Sequence, residues 1–490
     1  MFILRKIKTK FDFYFNNKVN LLREENSKII NMLLELGNVQ SLIDSSIKQI
    51  LEQQTQLETR LLISETQAHY RIVRQNILNR ISNGKKLRFA SYVVYDTTFG
   101  AHGICELMLK EPDKYDVKFV ICPDTYRDMD GLKQYHKTKE FFIEHYGVDS
   151  VLDGYDEETG EFLDWSDSFD VVYMANKYDV LVNKVHGIQY LCKQDLLPIF
   201  ISYGFNVTNW AHGSNENVRL SCLYWKYFVS TPQTKLNMTD EQISPAFNIV
   251  VSGYPKMDSL AFCDYKKNQK KTILLAPHHT VKGLPGKLQL SNFLEYADLI
   301  PKLADMFPNI DFIFRPHPLL FPNLKMHGIW SEEKVSQYLE LLKSKNIVYS
   351  TEGDYFHLFK ECDAIIHDCG SYLAEWLFTG KPCCYVIESE ESITSQLNND
   401  GLLCLKCHEL ADSEQKIINF IKKIEKSDYE IKVSEEIKNK IMVNYPNSTE
   451  FIFKNFLNFA DSLVTSRKLE GGGQNYSIHS DKFQTAGETL

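Results

Sequence analysis

The sequence predicts an α/β protein: two Rossmann-like domains facing a cleft, preceded by an N-terminal α-helical coiled coil. Three observations carry this reading. Two successive series of short, apolar, β-forming runs alternate with helical segments, the pattern of parallel sheets. A proline-free stretch over residues 20–80 keeps a heptad seam. The chain has 490 residues, 43% of them hydrophobic and 24% charged, which is enough for two or three globular domains with full cores.

In chain order, residues 1–18 mix Phe2, Ile3, Leu4, Phe11, Phe13 and Phe15 with Arg5, Lys6, Lys8, Lys10 and Lys18. Such a segment suits an anionic membrane surface or a short first helix packed on its own protein. Residues 19–82 follow as the coiled-coil helix. Alternating steps of four and three give Leu22, Asn26, Ile29, Leu33, Leu36, Gln40, Ile43, Ile47, Ile50, Gln54, Leu57 and Leu61. The seam suits self-association or an amphipathic helix folded back on the body, and Gly37 is its soft spot.

The first Rossmann-like domain is expected over 83–262. Its strand candidates are 88–95, 117–123, 170–176 and 197–204. The second is expected over 263–466, with strands at 272–277, 311–316, 347–350, 363–368 and 382–387 and helices such as 291–307 and 335–344. Closing helices are expected over 413–465. The tail, 467–490, is polar and glycine-rich and reads as disordered.

Composition narrows function. A net charge of −9 argues against a general nucleic-acid partner, which needs a basic surface. No apolar run reaches the ~18 residues of a membrane span, and the N-terminus lacks the form of a secretory signal. Eleven cysteines fit reduced thiols in a cytosol better than a disulfide framework. The expected location is cytoplasmic, with peripheral attachment to the inner face of the membrane left open. Cys404-Leu-Lys-Cys407-His408 matches the C-x-x-C-H haem pattern but reads as buried thiols.

Four motifs carry candidate chemistry. His212 and Gly213, in Trp210-Ala-His-Gly-Ser214, lie on a loop where an imidazole suits general-base work close to an acceptor. Arg315-Pro-His317-Pro318 ends a strand, where ligands of open α/β sheets bind, and offers Arg315 and His317 to an anion. The segment His367-Asp368-Cys-Gly370-Ser371 turns from a strand into a helix whose N-terminus can hold phosphate. Glu375, one turn on, is a candidate for ribose hydroxyls, and Asp368, Gly370, Ser371 and Lys282 join the donor set. The fourth motif, Ser252-Gly-Tyr-Pro-Lys256-Met-Asp258, reads as a hinge or as a means of bringing Lys256 to phosphate. His102, in the glycine-rich loop Asp96-Thr-Thr-Phe-Gly-Ala-His-Gly103, is placed with the acceptor. With no acidic cluster evident, no essential metal and no cofactor are expected.

Taken in order, these motifs together with Ala276-Pro-His278-His279-Thr280 and Gly380-Lys-Pro382 resemble the CDP-glycerol glycerophosphotransferase family of teichoic acid and capsule polymer enzymes. The family pattern is W-H-G-T, T-G-Y-P-R-x-D, A-P-T-W-R, H-P, T-D-Y-S-S and G-K-P, and the match covers roughly residues 200–390. Ala211 interrupts the Trp-His pair, His278-His279-Thr280 replaces Thr-Trp-Arg, and Gly370 replaces the first serine. The resemblance implies a GT-B fold with the nucleotide held by the C-terminal domain. It implies attack by an acceptor hydroxyl on the β-phosphorus of CDP-glycerol, with CMP leaving. On it, His212 is the general base, His317 contacts the pyrophosphate and Ser371 binds phosphate.

The implied partners are CDP-glycerol or another CDP-polyol and a polymer or lipid-linked acceptor. A homo-oligomer through the coiled coil and a membrane surface remain open as partners. Two rivals stay open as well: a GT-B glycosyltransferase using a nucleotide sugar, and a non-catalytic coiled-coil scaffold for capsule assembly.

Overall fold

The computed structural model describes residues 2–129, 131–209, 220–241, 247–261, 270–286, 288–351, 355–429 and 433–457. The expectations for His212, Gly213 and the tail from 467 fall outside these residues. The chain divides into two compact units, Met1–Ser64 and Glu65–Leu490. The first is part of one continuous helix, Phe2–Ser82, which Gly37 does not interrupt.

The second unit contains two parallel sheets. The strands of the first are β1 Leu87–Val93, β2 Tyr115–Ile121, β3 Val151–Asp153, β6 Val171–Met174, β7 Leu197–Ile201, β8 Lys226–Val229 and β9 Ile249–Val251; a two-stranded hairpin, β4 Tyr155–Asp156 and β5 Glu161–Phe162, sits apart from them. The strands of the second are β10 Lys271–Ala276, β11 Ile310–Phe314, β12 Val348–Tyr349, β13 Ala364–His367, β14 Cys383–Val386 and β15 Glu409–Ala411.

The first sheet runs in the order β3-β2-β1-β6-β7-β8-β9 and the second β12-β11-β10-β13-β14-β15. Each starts from its first strand, builds outward to one edge, then returns to build the other. This is the 3-2-1-4-5-6 order of a Rossmann sheet, extended by β9 in the first case. The order reverses between β1 and β6 in one sheet and between β10 and β13 in the other. Crevices at such reversals, beyond the carboxyl ends of the strands, are where open α/β sheets bind ligands.

Burial explains why the strands are continuous apolar runs. β6, β7, β13 and β14 are buried at every position, because helices cover both faces of a parallel sheet. The strand expected over 347–350 is shorter and exposed at both Val348 and Tyr349, as an edge strand can be. The helix expected over 291–307 is two helices, Phe293–Tyr296 and Ile300–Met306. Pro301 lacks an N–H and fits the first turn of a new helix, so the chain restarts there.

The chain end crosses back to the first sheet. Phe456 stacks on Phe89 of β1 with centroids 6.0 Å apart, and Phe453 meets Tyr115 at 6.0 Å. Thr449 N donates to Asp258 Oδ2 at 2.7 Å, and Asn444 Nδ2 to Ser252 O at 3.1 Å. The last turns of the long helix are fixed on the same body. Tyr70, Val73 and Ile77 are buried, Tyr70 donates to Leu223 O, and Arg80 joins Arg88 on the buried Asp170.

Candidate functional site

The register of the second sheet builds the site. Leu275 of β10 lies opposite Phe314 of β11, so counting on by three brings His278 level with His317. The ladder continues past the strand ends: Arg315 N donates to Leu275 O at 2.8 Å and His317 N to Pro277 O at 2.9 Å. His279 completes a cluster whose ring centroids are 4.2–5.0 Å apart. One ring nitrogen from each histidine lies within 4.8 Å of those of the other two.

Three imidazoles so close can serve a metal ion through lone pairs or an anion through N–H groups. Their other bonds distinguish these. His317 Nδ1 accepts from the backbone N–H of Leu319 at 3.1 Å, and a backbone amide can only donate. His278 Nδ1 faces Thr280 Oγ1 at 2.8 Å and accepts from Thr280 N at 3.3 Å. His279 Nδ1 faces Asn323 Nδ2 at 3.1 Å, and that amide also donates to His279 O. With Nδ1 accepting, each neutral ring carries its proton on Nε2. In that tautomer the Nε2 edge donates hydrogen bonds, as an anion requires.

The rings are neutral at ordinary pH. Burial holds His317 down to about 3, with His279 and Arg315 adding to it. Burial, then the neighbouring imidazoles, holds His278 well below its usual range, and burial lowers His279. Positive charge comes instead from Arg315, only 8% exposed. Its guanidinium donates to Ser350 Oγ at 3.2 Å and lies 5.4 Å from the centre of the Tyr355 ring. Among the described residues it pairs with no carboxylate. A buried cation is costly unless an anion meets it. The arrangement can therefore take an anion with two or more oxygens, such as a phosphate or diphosphate.

The third motif divides into different roles. Asp368 is fully buried and accepts from His278 N, Ser291 Oγ, Asn292 N and Tyr296 OH at 2.6–3.2 Å. The carboxyl, raised to about 7 by burial, ties three loops together. Glu375 is 1% exposed and accepts from Tyr355 OH at 2.7 Å. Burial raises it to about 7. The helix after Ser371 is one turn long, Tyr372–Glu375, and its amides at 373–375 bond back to Gly370 and Ser371 carbonyls. The expected helix-end phosphate site is thus reduced to the turn itself. Lys282 makes an exposed ion pair with Glu388, so it lies outside the buried cluster.

A cleft of about 720 Å³ lies between the loop after β1 and the second sheet's helices. His102, Gly100, Glu106, Lys256, Tyr355 and Lys360 line it. His102 stacks on Phe142 and Tyr146 and its Nδ1 lies 2.6 Å from Tyr146 OH. Lys256 bridges the two sides through Thr97 O at 2.8 Å. Tyr355 borders both this cleft and Arg315. Residues 206–209 are fixed on the second sheet's side. Asn209 N donates to Gln396 O at 2.9 Å, Asn398 Nδ2 to Asn206 O at 2.6 Å, and Val207 and Thr208 pass beside Gly370.

Tyr355 and the pairing of His278 with His279 were not in the expected site. An aromatic in a helical run reads as core, and the histidine cluster depends on strand register. Cys404, Cys407 and His408 are buried, with the two cysteines as free thiols.

No protein-family model matches the sequence, and no curated protein matches it. Solved structures do match the fold. A UDP-N-acetylglucosamine 2-epimerase is 14% identical with a TM-score of 0.50, covering 81% of this chain and 100% of that one. The wall teichoic acid polymerase TagF, in a histidine-to-asparagine variant soaked with CDPG, is 13% identical with a TM-score of 0.50, covering 84% and 98%. The class that the two sheets and these neighbours define is α/β with a GT-B fold.

Proposed function

We propose that the protein transfers glycerol phosphate, or a related polyol phosphate, from a CDP-linked donor to a hydroxyl of a cell-envelope polymer. The observation that carries this lies at the ends of β10 and β11: buried Arg315, which among the described residues pairs with no carboxylate, beside three neutral imidazoles suited to an anion. The ordered motif resemblance over residues 200–390 supplies the donor class.

In this reading the donor diphosphate lies against Arg315, His278, His279 and His317. An acceptor oxygen in the cleft beside His102 attacks the phosphorus that bears the polyol. The P–O bond to CMP breaks, and the acceptor's proton passes to His212. Phosphoryl transfer of this kind depends mainly on positioning and charge stabilisation. Arg315 and the fixed N–H donors offset charge on the departing CMP, and a general base contributes typically ~10²–10⁴-fold. No described helix is long and apolar enough to cross a membrane.

The test is ³¹P NMR of the purified protein with CDP-glycerol and a glycerol-phosphate primer. The expected result is loss of the diphosphate signals with matched growth of phosphodiester and CMP. CMP with free glycerol phosphate and no phosphodiester, or no reaction, would overturn the transferase reading.

A further inference from the structure

We infer that the first unit binds a second copy of this chain as a parallel, in-register, two-stranded coiled coil over residues 22–61. In the heptad count, the d positions are Leu22, Ile29, Leu36, Ile43, Ile50 and Leu57, all apolar. The a positions alternate: Asn26, Leu33, Gln40, Ile47, Gln54 and Leu61. Polar residues thus recur at a with a spacing of fourteen residues.

That spacing specifies the partner. In a parallel, in-register pair, a meets a, so Asn26, Gln40 and Gln54 each meet their own kind. A slip of one heptad sets every one of them against Leu33, Ile47 or Leu61. An antiparallel pair sets a against d and leaves each polar group facing an apolar side chain. A buried polar side chain without a partner is costly, so only the in-register parallel arrangement satisfies all three layers. Polar a residues fix register and strand number in this way.

The structure supplies the rest. The helix is continuous through the seam. Of the seam, the side chains at 22, 26, 29, 47, 50, 54, 57 and 61 are described, and all are exposed; Ile50 is 62% and Leu57 65% accessible. Continuing the count, the residues this helix buries in the second unit, Thr66, Tyr70, Val73 and Ile77, occupy f, c, f and c. The stripe used for packing on the body is therefore not the a/d stripe. The seam is about 60 Å long at 1.5 Å per residue and roughly 10 Å wide. Its accessible area is on the order of the ~800 Å² per partner of a stable association.

The experiment is light scattering of the full chain after size exclusion, with three variants. The wild type should have twice the 56.9 kDa chain mass. Ile50→Arg, at an exposed d position, should have the mass of one chain and an unchanged thermal midpoint of the body. Ile50→Cys should form a same-site disulfide-linked pair on mild oxidation, since the ten described native cysteines are buried. Asn26→Leu/Gln40→Leu/Gln54→Leu should shift the mass above two chains. A single-chain mass for the wild type, or a pair that survives Ile50→Arg, would overturn the association. A pair without the Ile50→Cys link would overturn the parallel register, and an unchanged mass in the triple variant would overturn the role of the polar layers.

Discussion

Arg315 and Glu375 face each other across Tyr355, which approaches the first through its ring face and donates to the second through its hydroxyl. The two ends predict different phenotypes. Arg315→Lys keeps the charge but loses the planar fork that meets two oxygens at once. It should lower kcat/KM for the donor by about 10², with the fold intact by circular dichroism, because it removes a donor aimed at developing charge. Glu375→Gln acts on stability. A carboxyl whose folded pKa is raised, here to about 7 by burial, takes up its proton in the folded state before the unfolded one does. Its ionised form therefore costs stability above pH 7, and the cost is relieved as pH falls toward its unfolded value of 4.5. The variant should melt higher than wild type at pH 8 and lose that advantage near pH 5, as read by thermal unfolding at the two pH values.

At the scale of elements, the returning chain end tests how the parts of the second unit are joined. Gly253 follows β9 with φ +79°, and a Cβ there would lie 2.0 Å from Val443 O. Gly253→Ala should lower the thermal midpoint by the ~2 °C or more that ~2 kcal/mol or more implies for a unit of this size, since both the backbone angle and the neighbouring carbonyl must shift. Nothing in the local sequence shows that Val443 is there, whereas the strands were legible. Runs such as Ile273–Ala276 and Ala364–His367 are buried on both faces, and that burial is written directly as unbroken apolar sequence. β8 and β9 were not singled out, because four and three residues beside polar turns carry little pattern. The site was half legible for the same reason. Arg315 and His317 could be placed at a strand end from one segment, but joining His278 to them required knowing that β10 pairs with β11 and with which register. The partners of Asp368 are not visible in the local sequence either: its four donors come from segments 72 to 90 residues away.

The whole molecule has a pH signature of its own. Among the described residues, six histidines are held below their ordinary range, each chiefly by burial: His186, His278, His279, His317, His367 and His408. Four carboxyls, Asp258, Asp368, Glu375 and Asp400, are held above theirs by the same cause. Below about pH 6.5 the unfolded chain takes up protons that the buried imidazoles refuse, which lowers stability as pH falls. The carboxyls act in the opposite sense, but they are fewer. The thermal midpoint should therefore decline between pH 6.5 and 4.5, and the decline should steepen in Glu375→Gln. Each of the two sheets has a reversal point, where open α/β sheets bind ligands, but a GT-B fold alone admits sugar and polyol donors alike. The central claim therefore turns on which nucleotide leaves. The direct measurement is mass spectrometry of the nucleotide released by the purified protein from a panel of CDP-glycerol, CDP-ribitol and UDP-sugars in the presence of acceptor. The account predicts CMP from a CDP-polyol, abolished in Arg315→Ala and in His212→Ala. Release of UDP from a sugar donor with the CDP-polyols untouched, or no release from any donor, would contradict it.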